Sequence, residues 1–242
     1  MGTLGIIFGS SFLAGLIQGV SGFGGVVVLM TILPYFETMK DSMAISGICA
    51  MPMNISTVLL YRKKIQFRKV LLPVASYYVA TLLFTKVAAS MNLEAFKPIF
   101  GIFLVCLALY FMIFAKKIHV QESLRNGVLC MFAAGIAMSF FGISGPIIVM
   151  YYVAVLSDKE EYVGTLGFIF LVTNFFTTVV RYMNGFFTLA LLPAIGSGTA
   201  GILLGFFTGA RLIKYIDGAT VKKIVYVFLA ISGAITAVKG LM

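Results

Sequence analysis

Acidic residues are scarce in this chain, and none lies where a membrane carrier would use one. Eight Asp and Glu are spread over 242 residues against 18 Lys and Arg. All eight (Glu37, Asp41, Glu94, Glu122, Asp158, Glu160, Glu161 and Asp217) fall in loops or at the ends of apolar runs. An intramembrane proton relay of the kind pumps use is therefore excluded. The single histidine, His119, follows Lys116-Lys117 in a loop and reads as solvated. With no paired acid and base, nucleophile or metal ligands at depth, enzymatic chemistry is excluded as well. The three cysteines, Cys49, Cys106 and Cys130, share no metal or redox spacing and read as small apolar residues, so no metal or other cofactor is expected. The first 36 residues carry no Lys or Arg. They lack the positive start of a cleaved signal and are read as part of the mature protein.

Hydrophobic residues make up 61% of the chain and charged ones 11%, and the mean hydropathy is +1.07. That composition excludes a soluble globular domain. Apolar runs recur at 3–36, 42–61, 70–91, 95–115, 126–156, 162–180, 186–210 and 220–238. Most have the roughly 20 residues that a helix needs to cross the hydrocarbon. The formal charge of +10 comes from basic clusters beside these runs, such as Arg62-Lys63-Lys64, Arg68-Lys69 and Lys116-Lys117. There they set topology and touch anionic lipid; no basic-aromatic face exists to bind nucleic acid.

The two longest runs carry a glycine-rich stretch that occurs twice. AGLIQGVSGFGGVVVLM spans 14–30 and AGIAMSFFGISGPIIVM spans 134–150, displaced by 120 residues. The same displacement pairs Gly47 with Gly167, Asn54 with Asn174, Thr57 with Thr177, and LLP at 71–73 with LLP at 191–193. The expected fold is an all-α polytopic membrane protein of two repeats, 1–120 and 121–242, forming one membrane domain. Each repeat holds one glycine-broken segment followed by three transmembrane helices. Duplicated, interrupted membrane helices are the mark of a secondary transporter, and the breaks mark its binding site.

The first broken segment divides into an arm over 3–20, a turn at Ser21–Gly25 and an arm over 26–36. At about 1.5 Å per residue the second arm is too short to cross alone. It either crosses once as a kinked helix or enters and leaves on one face as a re-entrant hairpin. Charge favours the second arrangement. With hairpins the two halves are inverted, and the inside loops 62–69, 116–125, 157–161 and 211–223 hold 13 of the 18 basic residues. A single crossing leaves almost no bias.

Inverted breaks approach one another at mid-membrane, where irregular backbone is tolerated only if it lines a cavity or is buried in protein. Each break starts a new helical arm, whose free N–H groups and partial positive charge suit an anion. The residues expected to hold it are Gly22, Phe23, Gly24 and Gly25 in one turn and Gly142, Ile143, Ser144, Gly145 and Pro146 in the other. Gln18, Ser21 and Ser139 can add donors. Asn54 and Asn174 occupy equivalent places, and an amide in hydrocarbon faces the protein interior or a wet site. Each either touches the ligand or clamps exposed carbonyls of a broken helix. Thr57 and Thr177 are expected to bond their own helix. Arg181 either draws the anion at a vestibule or anchors to lipid headgroups. The Gly201, Gly205 and Gly209 stripe, mirrored by Thr81, Thr85 and Ala89, suits close helix packing within the protomer or at a dimer contact.

GLIQGVSGFGG followed by an apolar run to Pro34, and GIAMSFFGISGPIIVMYY in the second half, resemble the sulfite exporter TauE/SafE family of membrane transporters. The second copy departs from the usual double glycine, with Ser144 standing before Gly145-Pro146, which leaves substrate preference open. The resemblance implies a multi-pass transporter in the plasma membrane of a bacterium or archaeon. Its substrate would be sulfite, sulfoacetate or a related small sulfur anion, usually moved outward. An anion channel, or a carrier for small carboxylates, is the alternative.

Overall fold

The computed structural model describes residues 2–114, 122–212 and 218–241. The solvated loop expected around His119, its neighbours Lys116-Lys117, and Asp217 lie outside them. Every regular element among the described residues is helical. In chain order the helices are α1 (Thr3–Ser21), α2 (Gly25–Ile32), α3 (Met39–Tyr61), α4 (Phe67–Ser90), α5 (Lys97–Leu109), α6 (Leu124–Phe141), α7 (Gly145–Val155), α8 (Lys159–Met183), α9 (Leu192–Leu212) and α10 (Gly218–Leu241). Seven stretches among them are long and apolar enough to cross a membrane, whereas α2 and α7 are short.

The starts and stops follow from local chemistry. Thr38 accepts the Asp41 amide at the head of α3, and Asp158 accepts the amides of Glu160 and Glu161 at the head of α8. Both are side-chain caps of otherwise orphaned N–H groups. Glycine ends α1 and α6: Gly22 and Gly142 have φ of 80° and 70° and donate back to the Gln18 and Met138 carbonyls. This left-handed stop is nearly free only for glycine.

The two halves are interleaved. The main helix contacts pair α1 with α9, α6 with α4, α3 with α8, and α5 with α10, each joining one half to the other. Lipid gives apolar side chains no reason to prefer protein, so these contacts rest on small residues that let backbones approach. A Cβ added at Gly205 would collide with the Phe12 carbonyl, and one at Gly201 or Gly209 would meet the backbone of Phe8 or Leu16. The glycine stripe therefore packs α9 on α1 within one protomer. Its mirror image packs α4 on α6, with Gly135 against Ala80 and Tyr77 and a hydrogen bond between Thr85 and Ser139.

Polar contacts tie the helix ends together in two groups. At one end, the Met39 amide donates to Glu94, Lys40 to the Ala89 carbonyl and Lys97 to the Pro34 carbonyl, while Ser197 donates to the Leu4 carbonyl near the start of α9. At the other end, Lys64 pairs with Glu160 and Lys69 with Glu122, and Lys69 also donates to the Val155 carbonyl. There Tyr151 reaches the Ser123 carbonyl, and the Gln66 amide reaches Thr165. These are called the Glu94 end and the Lys69 end below.

Candidate functional site

Each glycine break is stabilised differently. After Gly22, Gly24 again takes a left-handed conformation (φ 97°), and α2 begins at Gly25. The Gln18 side chain reaches across the turn, and its Oε1 accepts the Gly25 N–H at 2.9 Å. In the second break Met138 stands at the equivalent of Gln18, so no side chain can do this. Instead Pro146 sits in the first turn of α7, where it removes one N–H needing a partner, and the Ser144 carbonyl accepts from Ile147 and Ile148.

Both breaks border one small cavity of about 50 Å³. Gln18, Gly24, Val26 and Val27 line it from the first half and Met138, Gly142, Ile143, Ser144 and Gly145 from the second. Asn54, Tyr77, Phe170, Thr173 and Asn174 complete the wall. The amides of Gly24, Val26, Val27, Ile143, Ser144 and Gly145 have no hydrogen-bond partner among the described residues. These are the orphan donors expected where helices begin. Two helix starts with unpartnered amides thus border the cavity, whose wall is mostly apolar and carries no charged side chain.

The two asparagines differ. Asn174 donates to the Gly47 carbonyl on α3 at 2.7 Å, so it clamps a neighbouring helix. Asn54 is also buried, yet its carboxamide makes no hydrogen bond among the described residues. Asn54 borders both the central cavity and an adjoining pocket of about 90 Å³ that runs past Gly22, Thr57, Tyr61 and Val163 toward the Lys69 end. Gln18 and Phe170 also border both spaces.

Other residues singled out in the sequence lie just off the cavity. Ser21 turns its hydroxyl to the Ile17 and Phe23 carbonyls, and Ser139 donates to the Gly135 carbonyl. Phe23 is buried against Phe111. Gly22 borders the adjoining pocket, while Gly25 and Pro146 are buried in the first turns of their helices. Thr57 and Thr177 bond their own helix through the Met53 and Thr173 carbonyls.

Arg181 is buried rather than at a lipid headgroup, and it borders a pocket formed with Met43, Phe186 and Phe187. It is 3% exposed, and its fork donates to the Met43 carbonyl of α3 at 2.9 Å and the Met138 carbonyl of α6 at 2.6 Å. It is the one charged side chain that is fully buried among the described residues, and no carboxylate pairs with it. The carbonyl at the closing turn of α6 supplies part of the compensation, because helix C-termini attract cations.

Tyr77 and Thr173 escaped the sequence reading. Tyr77 is wholly buried and shares a hydrogen bond with Thr177 at 3.0 Å. The available signal was a Tyr-Tyr pair in the middle of an otherwise apolar run.

Apolar helices of spanning length, enclosing a small cavity between two helix breaks, define a multi-pass membrane transporter. The family model described as sulfite exporter TauE/SafE matches residues 7–236, and the chain belongs to that family. Its members are membrane transporters and not enzymes. No curated protein and no solved structure matches the chain.

Proposed function

We propose that this protein exports a small sulfur oxyanion such as sulfite, held between the two helix breaks and passed across the membrane by alternating access. The observation that carries this reading is that six residues whose backbone amides have no partner among the described residues line one cavity without an acidic side chain. Helix starts with free N–H groups and no carboxylate favour an anion over a cation.

The segments 3–36 and 126–156 are read as re-entrant hairpins of opposite orientation. Supporting this, α1 starts beside Ser197 near the head of α9 and α2 ends beside Lys97, both toward the Glu94 end. In the second half, α6 starts and α7 ends toward the Lys69 end, where Tyr151 meets Ser123 and Lys69 meets Val155. The repeats 1–120 and 121–242 then form one inverted pair. Arg62, Lys63, Lys64, Arg68, Lys69, Arg125 and Lys159 gather at the Lys69 end, which the positive-inside rule assigns to the cytoplasm. In a plasma membrane that is negative inside, anion exit gains about 2.3 kcal/mol per charge per 100 mV, so export needs no coupling carboxylate.

Efflux from proteoliposomes tests the reading. Sulfite trapped inside should leave with saturable kinetics, faster when an interior-negative potential is imposed and without a proton or sodium gradient. Non-saturating flux would indicate a channel, and a strict ion requirement would overturn the driving-force argument.

A further inference from the structure

Three spaces flank the helix breaks and the Arg181 region, and they are not joined equally. The central cavity and the pocket toward the Lys69 end share Gln18, Asn54 and Phe170 in their walls. Toward the Glu94 end lies a larger, mostly apolar pocket of about 280 Å³ that includes Met43, Ile48, Tyr182, Phe186 and Phe187. It has no lining residue in common with the central cavity. Arg181 stands between the two: it borders the outer pocket and bonds the carbonyl of Met138, which borders the central cavity.

We infer that Arg181 is the bolt that closes the substrate path toward the Glu94 end, and that it must withdraw from the Met43 and Met138 carbonyls for the path to open there. The inference rests on the transport reading above. Repeat symmetry supports it. A displacement of 120 residues relates Arg181 to Tyr61, Met43 to Val163 and Met138 to Gln18. At the Lys69 end these three counterparts all border the adjoining pocket, and no side-chain hydrogen bond joins Tyr61 to the other two among the described residues. The same three positions are thus bridged at one mouth and apart at the other. Arginine suits the bridged mouth because a planar fork can hold two carbonyls from two helices at once. One of those helices belongs to each half, so relative movement of the halves must break the bridge. The Arg181 Nε is buried and has no partner, so the side chain is not fully satisfied in this state.

Sided cysteine labelling tests this without relying on transport. Thr173 borders the central cavity. Thr173→Cys is placed in a chain with Cys49, Cys106 and Cys130 replaced by alanine. It is labelled with a membrane-impermeant methanethiosulfonate sulfonate in right-side-out and inverted vesicles. With Arg181 intact, labelling should be rapid from the Lys69 side and slow from the Glu94 side. Arg181→Gln should raise the Glu94-side rate by about tenfold or more, as expected when two charge-assisted hydrogen bonds are lost, and leave the Lys69-side rate unchanged. Arg181→Lys, which keeps the charge but loses the fork, should give an intermediate rate, and it decides the matter if the glutamine variant does not fold. Equal labelling from both sides with Arg181 intact would overturn the inference, as would a Glu94-side rate that a correctly inserted variant leaves unmoved. Sulfite efflux measured on the same vesicles separates the two readings: sided, Arg181-dependent labelling without efflux refutes the substrate assignment alone.

Discussion

Asn54 and Asn174 stand 120 residues apart in aligned stretches of the sequence, and the structure predicts opposite consequences for removing them. Asn174 bonds the Gly47 carbonyl across a helix interface. Asn174→Ala should lower stability by about 0.6–1.5 kcal/mol, the net worth of such a bond between membrane helices or in a protein interior. For a chain of this size that corresponds to a melting point lower by about 2–5 °C. Asn54 is buried beside the cavity but bonds nothing among the described residues. Asn54→Ala breaks no internal hydrogen bond and should leave the melting point within about 1 °C. If its carboxamide donates to the bound anion, the loss is a hydrogen bond to a charged group, about 1.5–3 kcal/mol, or roughly 10- to 150-fold in affinity. The assay is sulfite binding to purified protein together with thermal unfolding of the same samples in detergent. The reasoning is refuted if Asn54→Ala unfolds as early as Asn174→Ala, or if it folds normally and binds sulfite with unchanged affinity.

Further outcomes follow from the glycines. Gly205→Val drives a side chain into the Phe12 carbonyl and should prevent recovery of folded protein, whereas Gly196→Ala, which meets nothing within 4 Å, should purify normally; size-exclusion profiles check both. Gly24→Ala meets no neighbour but forces a left-handed alanine (φ 97°), costing about 1–2 kcal/mol and reshaping the anion wall; a lower melting point with at least about tenfold slower efflux is expected. At Gly145 an added Cβ stays 3.8 Å from the Phe170 ring, so Gly145→Ala should fold as the parent does.

Much of this was legible in the sequence because the relevant signals are local. The breaks follow from glycines that tolerate left-handed backbone, and the all-helical spanning architecture follows from run length and hydropathy. The close packing of Gly201, Gly205 and Gly209 was legible from their spacing, since residues four apart share a helix face. What the sequence hid depends on partners far away in the chain. Gln18 was read as a ligand donor, but its Oε1 also caps the Gly25 amide, a role visible only once the turn is folded. Arg181 carries no sign of depth: it follows an apolar run as an anchoring residue would, and its partners are backbone carbonyls that no side-chain pattern reveals. The difference between Asn54 and Asn174 was equally invisible, because identical residues in aligned stretches acquire different neighbours once the chain is folded.

The central claim is that unpaired amides at two facing helix starts hold the anion. Selenite, the heavier analogue of sulfite, allows its site to be located by anomalous scattering from crystals grown in its presence. The account predicts one selenium peak between Gly24 and Ser144, with selenite oxygens about 3 Å from amides of both breaks. A peak confined to the basic loops, or one bound to Arg181 with the central cavity empty, would contradict it.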